Sequence, residues 1–307
     1  MGIGRRIDEF VDVDDKSKDK LNSFESRFDL QYPKYKLTDL IVSDLIVNQI
    51  NGALAFFEHS SLVFDGWGLS STHKNSKRMC INFYGPPGTG KTMAAHAVAD
   101  KLNKKLMIVN YAEIESKYVG DTPKNLVAAF KKAESVDAII FFDEADAMLS
   151  RRVTSMKNST DTSVNQSRSV LLNILNDYEK VVLFATNFIE NFDPAFMRRI
   201  LSHVKFELPD EACRIKLFQM YTSEKMPNTL NFEKLAKDHC DVSGSDISNA
   251  ILLAAFSAAE RCSPVVEMRD IESSLSQIKK SKFENAGKVT IETHPVTEDY
   301  VKSKLKG

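Results

Sequence analysis

The chain has 307 residues, with 41 basic against 42 acidic, 43% hydrophobic and 27% charged; this is the make-up of an ordinary globular protein long enough for about two domains. A net charge of −1 creates no field to draw it toward nucleic acid or an anionic membrane surface, and no apolar run approaches the ~20 residues that span a bilayer. Cys80, Cys213, Cys240 and Cys262 are scattered without Cys-x-x-Cys spacing, which excludes the usual zinc patterns and points to reduced thiols in a cytoplasmic compartment.

Residues 1–36 are charged and weakly periodic and read as an N-terminal leader; their opening, MGIGRRIDEFVDVDD, lacks the apolar core of a signal peptide. From Leu37 to Phe64 apolar residues recur at helical spacing (Ile41, Leu45, Ile46, Ile50, Leu54, Phe57). A turn-rich stretch leads to the apolar run Met79–Tyr84, then a glycine-rich loop and a helical pattern over Lys91–Leu102. The alternation repeats. Leu106–Asn110, Ala138–Phe142, Val181–Thr186 and Val204–Leu208 read as strands, with helices over Pro123–Ala133 and Ser167–Asp177 between them. Continuous apolar strands alternating with helices predict an α/β fold: a parallel sheet covered by helices on both faces. After Pro209 only helical patterns remain, over Asp210–Tyr221, Phe232–Asp238, Asp246–Arg261 and Met268–Ile278, with Asp210 and Ser245 or Asp246 as candidate caps. The predicted domains are therefore residues 37–208 (α/β) and 209–278 (small and all-α), followed by a Lys-rich tail over 279–307. The segment 151–166, rich in Ser, Thr and Asn, reads as a loop.

Three strand ends carry the chemistry. GPPGTGKT, residues 85–92, matches G-x-x-x-x-G-K-[ST] between a strand and a helix. Its glycines let the backbone wrap a phosphate, and the helix adds the positive end of its dipole. Pro87, Gly88, Thr89, Gly90, Lys91, Thr92 and Met93 are the candidate ATP-binding residues here, with Lys91 on the β- and γ-phosphates and the Thr92 hydroxyl on Mg²⁺. AIIFFDEAD ends a buried strand in Asp143 and Glu144. Carboxylates leaving an apolar sheet are costly unless used, and here Asp143 can hold Mg²⁺ while Glu144 accepts a proton from the attacking water. ATN, residues 185–187, places Asn187 at the third strand's carboxyl end, where an amide can orient water or sense the γ-phosphate.

Together these residues resemble the AAA branch of the AAA+ ATPases. GPPGTGKT is similar to the Walker A motif, FFDEAD to Walker B and ATN to sensor 1. DPAFMRRI resembles the arginine-finger segment, and VSGSDI the region that closes over the nucleotide from a helical lid, with Gly244 and Ser245 standing for the family's usual Gly-Ala pair. The resemblance runs from about Leu37 to about Leu275. It implies a P-loop NTPase domain with an all-α lid, and a homo-oligomeric ring, usually hexameric, with ATP at each subunit boundary. Read locally, Arg198 and Arg199 close a helix favourably; in the implied ring they become candidate fingers on the neighbour's γ-phosphate. The adjacent pair departs from the longer R-x-G-R arrangement of many members and is similar to the meiotic-clade severing and disassembly enzymes. Which arginine reaches phosphate stays open at this point.

Lys117, Tyr118, Val119 and Gly120 match the family's central pore loop, an aromatic, an aliphatic and a glycine that grip an extended polypeptide. Residues 151–166 would form the second pore loop. The implied function is ATP-driven unfolding or remodelling of protein, for which a pachytene-checkpoint-type remodeller of a HORMA-like signalling protein in bacterial antiphage defence is the finer reading. A general disassembly or severing ATPase is the alternative within the class. A DNA-directed loader is disfavoured by the charge balance and the Tyr-Val-Gly loop, and a scaffold that binds ATP without turnover by the intact Asp143, Glu144, Asn187 and arginines.

Overall fold

The computed structural model describes residues 28, 30–73, 79–110, 114, 121–150, 159–187 and 192–285. The candidate pore residues Lys117, Tyr118, Val119 and Gly120 lie outside the described residues, as do 151–158 of the candidate second pore loop, most of the expected leader and tail positions 286–307. The described residues fall into two compact units. The first is drawn from Met1–Ser223 with Asn231–Ser248, the second from Glu224–Leu230 with Asn249–Gly307.

The first unit is built on a six-stranded sheet of β1 (Leu30–Gln31), β2 (Met79–Tyr84), β3 (Leu106–Asn110), β4 (Ile139–Asp143), β5 (Val181–Thr186) and β6 (Ser202–Lys205). The spatial order is β1-β3-β4-β5-β2-β6. β1 runs antiparallel to β3, and the other pairs are parallel. Because side chains alternate along a strand, the apolar runs feed two cores. Met79, Ile81 and Phe83 share one with Val181, Leu183 and Ala185; Cys80 shares the other with Val182, Phe184, Ile140 and Phe142. The first face is covered by α1 (Asp44–Glu58) through Ile46, Ile50, Ala53 and Leu54, and by α2 (Lys91–Lys101) through Ala94, Ala95, Val98 and Ala99. The second is covered by α3 (Asp121–Ser135) and α5 (Ser159–Asp177), with α4 (Asp146–Leu149) and α6 (Pro194–Met197) as single turns. Aromatic rings fill that side: Phe142 stacks on Phe184 at 5.4 Å and Phe130 meets Tyr178 edge-on at 4.9 Å.

Registry brings the chemistry to one edge. Tyr84 pairs with Thr186, and Asn110 with Asp143, so the chain leaves β2, β4 and β5 at Gly85, Glu144 and Asn187 along the same rim, where open α/β sheets bind ligands.

Several elements differ from the sequence expectation: the helical spacing from Leu37 resolves into a 3-10 turn at Leu37–Asp39 and α1 from Asp44, and the helix from Met268 runs on to Asn285, seven residues into the expected tail. β1 is an added edge strand inside the segment read as leader, and Phe28 beside it is buried in the core; two residues carry no periodicity to read. β6 occupies Ser202–Lys205 rather than starting at Val204, because polar Ser202 and His203 pair with Ile81 and Asn82. α5 begins at Ser159, eight residues before the expected start, its hydroxyl-rich first turns hiding the helical pattern. α9 (Gly244–Glu260) is opened by Ser243, not by Ser245 or Asp246. The Ser243 Oγ accepts the Asp246 N–H at 3.3 Å while Asp246 Oδ2 accepts the Ser243 N–H at 2.7 Å, a reciprocal capping box.

The first unit also holds α7 (Glu211–Tyr221), capped by the Asp210 carboxylate on the Cys213 N–H, and α8 (Phe232–Asp238), capped by Asn231. The buried Arg214 ties them, donating from Nε to the Ala236 carbonyl at 2.8 Å and from its terminal nitrogen to Pro209 O at 2.6 Å. The second unit contains the rest of α9 and α10 (Met268–Asn285). There the Arg261 guanidinium pairs with the buried Asp270 at 2.7 Å. No helix among the described residues is long and apolar enough to cross a membrane.

Candidate active site

The loop between β2 and α2 is shaped by glycines at positive φ: Gly85 at 140°, Gly88 at 76° and Gly90 at 101°. A Cβ on Gly85 would overlap the Phe206 carbonyl oxygen, and one on Gly88 the Ser245 hydroxyl. The loop therefore approaches β6 and the start of α9 as closely as a bare backbone allows. Ser245 N–H donates to Gly88 O at 3.2 Å and fastens the tip.

Lys91, the first residue of α2, is buried. Its ammonium donates to Gly85 O at 2.7 Å, Pro86 O at 2.9 Å and Asn187 Oδ1 at 2.9 Å. Burial pushes its pKa below the ordinary lysine value, against the opposing charges of Asp143 and Asp146. A desolvated cation held by neutral oxygens is a ready partner for phosphate oxygens, which would supply the negative charge that its present partners lack.

Thr92, the next residue, donates from Oγ1 to Asp143 Oδ2 at 3.0 Å. The hydroxyl and carboxylate thus meet across the loop, and their two hard oxygens fit part of a Mg²⁺ shell completed by phosphates and water. Bound there, the ion would neutralise charge on the phosphates. Glu144 follows with φ at 52°, a left-handed conformation unusual for a side-chain-bearing residue, and its N–H donates to Asp143 Oδ1 at 3.0 Å. The turn leaves the Glu144 carboxylate exposed at the rim.

Pro87, Gly88, Thr89, Gly90, Lys91, Thr92, Met93, Asp143, Glu144, Asn187, Gly244 and Ser245 all line one cavity of about 490 Å³, within the range that accommodates a small-molecule ligand. The same cavity is also lined by residues to which the sequence assigned no site role, among them the segment Asp39–Ser43 and Leu217, Met220 and Tyr221 from α7. Their apolar surface suits the flat face of a base. The apolar triplet Leu40–Val42 is hidden in the sequence because Ile41 fits the helical spacing of Leu37–Phe64, whereas the helix starts only at Asp44. Asp146 was also missed, although its carboxylate accepts the Asn187 N–H.

The arginines stand away from this cavity, and their surroundings differ. Arg199 donates from Nε to Asn176 Oδ1 at 2.9 Å and from its terminal nitrogen to Ala195 O at 2.8 Å. Arg198 is exposed and makes no side-chain hydrogen bond among the described residues.

Residues 81–208 match the family described as ATPase family associated with various cellular activities (AAA). Over 214 residues the chain is 34% identical to a probable 26S proteasome regulatory subunit 4 of Caenorhabditis elegans, covering 67% of this chain and 48% of that protein. It is 33% identical over 213 residues to a 26S proteasome regulatory subunit 4 homologue of Schizosaccharomyces pombe (66% of this chain, 47% of that protein). It is 32% identical over 215 residues to a proteasome-activating nucleotidase of Methanopyrus kandleri (67% and 49%). The chain spans about half the length of these relatives. With the glycine-shaped loop, the buried lysine and the acidic strand end around one cavity, residues 81–208 form a domain of the AAA family of ATPases.

Proposed function

We propose that the chain hydrolyses ATP with Mg²⁺ and spends the cycle on unfolding or remodelling protein, as a cytoplasmic homo-oligomeric ring of about six subunits. The observation that carries the reading is the meeting of Lys91, the Thr92–Asp143 pair, Glu144 and Asn187 on one cavity wall. Lys91 holds the β- and γ-phosphates, Thr92 and Asp143 the cation, Glu144 takes a proton from the attacking water, and Asn187 orients that water. Arg198, exposed and uncommitted, serves the neighbouring subunit's γ-phosphate, while Arg199 braces the segment that presents it. Lys117, Tyr118, Val119 and Gly120 grip the polypeptide.

The kinship to proteins named as proteasome regulatory subunits and a proteasome-activating nucleotidase supports a protein substrate over nucleic acid. Within that class the finer reading is a pachytene-checkpoint-type remodeller of a HORMA-like signalling protein in antiphage defence; the adjacent arginines are shared with the alternative, a general disassembly or severing ATPase. The deciding experiment measures phosphate release from MgATP by the wild type and by Glu144→Gln, then identifies by mass spectrometry what the Glu144→Gln protein retains with ATP. Wild-type turnover, a silent but ATP-binding Glu144→Gln and a retained HORMA-like protein are expected. DNA-stimulated turnover that survives Tyr118→Ala would instead favour a DNA-directed loader.

A further inference from the structure

The parallel ladder between β4 and β5 ends at the pair Phe142–Phe184. The two residues that the reaction needs beyond it, Glu144 and Asn187, sit on the strand ends after that pairing has stopped. Two other contacts join these ends. Ala145 N–H donates to Ala185 O at 2.9 Å, and both oxygens of Asp146 accept the Asn187 N–H, at 3.2 and 3.3 Å.

The turn Asp143–Asp146 is thus fastened at both ends. At its front Asp143 meets Thr92, and at its rear Ala145 and Asp146 meet β5. Glu144 lies between these anchors in its left-handed conformation, a backbone state that persists only where its surroundings hold it. On the far side of Asn187, the amide oxygen accepts from Lys91 at 2.9 Å. A line of contacts therefore runs from Asp146 through the Asn187 backbone and side chain to the lysine of the phosphate loop. The plainer account of Asp146 is an acid in the first turn of a helix, but α4 has four residues and little dipole to answer.

We propose that Asp146 is a positioning residue for hydrolysis: by gripping the Asn187 N–H beyond the end of the ladder, it sets the separation of the base Glu144 from the water-orienting amide of Asn187. This rests on the ATPase reading above. Asp146 touches neither phosphate nor water in this role; it acts through Asn187.

The test compares wild type, Asp146→Ala, Asp146→Asn, Asn187→Ala and the double variant Asp146→Ala/Asn187→Ala, by MgATP turnover, affinity for a fluorescent ATP analogue, and thermal melting. Asp146→Ala should lower kcat about 10- to 100-fold, the scale of one hydrogen bond to a charged group, with analogue affinity changed by no more than about twofold. Asp146→Asn, whose amide oxygen still accepts the N–H, should turn over severalfold faster than Asp146→Ala. In the Asn187→Ala background Asp146→Ala should add almost no further loss, because the group that it positions is gone. A general weakening of the fold would instead multiply the two losses. If Asp146→Ala melts too early to assay, Asp146→Ser takes its place, a residue at home in a first helical turn but too short to reach the N–H. Folded Asp146→Ala with wild-type kcat, multiplicative losses, or Asp146→Asn as slow as Asp146→Ala would each overturn the proposal. A wild type that fails to hydrolyse ATP would overturn the ATPase reading itself, and the two failures are told apart by that control.

Discussion

Lys91 Nζ lies 2.9 Å from Asn187 Oδ1, so the first residue of α2 and the residue that follows β5 share a hydrogen bond across 96 positions of sequence. The contact sorts the two residues by what their loss should do. Lys91 is buried and burial penalises its charged form, so Lys91→Ala removes the cation that the phosphate loop holds in the cavity and should weaken ATP binding on the order of 100-fold or more. Asn187→Ala leaves that cation in place. It should bind a fluorescent ATP analogue nearly as well as wild type while turnover falls about 10²-fold, as for loss of one oriented polar group in an active site. Equilibrium binding and phosphate release on both variants check the split, and equal loss of affinity in the two would refute it.

Two glycines should respond to alanine in opposite directions. Gly85 has φ at 140° and its missing Cβ would overlap the Phe206 carbonyl oxygen, whereas Gly52, within α1, has nothing within 4 Å of its Cβ position. Gly85→Ala should cost at least about 1–3 kcal/mol in backbone strain alone and lose nucleotide binding with it. Gly52→Ala should gain about 0.5–1 kcal/mol, because it narrows the unfolded ensemble without strain in the helix. Denaturant melts of both variants read the two signs.

The strands that build the site were legible because each is a short, nearly continuous apolar run buried on both faces. Met79–Tyr84 and Val181–Thr186 were read with their observed bounds, and Ile139–Asp143 within a residue at each end. Once these ends were located, the phosphate loop, Asp143, Glu144 and Asn187 followed, since each stands next in sequence to a strand. What stayed hidden acts over distance or without a pattern. Asp146 contacts a residue 41 positions away, and its first-turn position has an ordinary local explanation. The wall Asp39–Ser43 meets the phosphate loop only after folding, with Leu40 against Gly90. β1 is too short to alternate visibly. The Ser243 cap was concealed by Ser245, an equally good capping residue two positions on.

The arginine pair yields a division of labour. Arg199 is held by Asn176 and the Ala195 carbonyl, while Arg198 is exposed. Arg199→Ala should lower the melting temperature of the isolated protein, as removal of a partly buried hydrogen-bonded cation costs about 1–3 kcal/mol. Arg198→Ala should leave melting unchanged and reduce turnover in assembled rings by about 10³-fold or more, if it reaches the neighbour's phosphate. Mixing Arg198→Ala with Glu144→Gln subunits checks that the group works across a boundary. Sites pairing a wild-type Glu144 with a wild-type Arg198 should form and restore part of the activity. Failure of any mixture to recover turnover would place the defect within one subunit.

Mild acid should weaken the fold through two of its histidines. Both have pKa values held below the ordinary 6.5: His96, chiefly by burial and then by the charge of Lys34, and His203, by burial. At His96 the ring Nδ1 faces the Lys34 N–H at 3.4 Å and Tyr35 packs edge-on at 5.8 Å. A protonated ring would lose that acceptor and stand beside a lysine. Below pH 6.5 the unfolded chain takes up protons at these sites that the folded chain refuses, so stability falls as pH falls, by at most about 1.4 kcal/mol per pH unit for each histidine. Asp137, Asp210 and Asp270 have pKa values lowered from 3.8, so their contribution is present above that value and is lost only at more acid pH. Between 6.5 and 3.8 the two histidines therefore dominate this set of shifted groups. Melting temperature measured from about neutral pH down to about pH 5 should decline in the wild type and flatten in the double variant His96→Gln/His203→Gln, whose amide at position 96 can still accept the Lys34 N–H. An undiminished slope in that variant would assign the acid sensitivity to other groups.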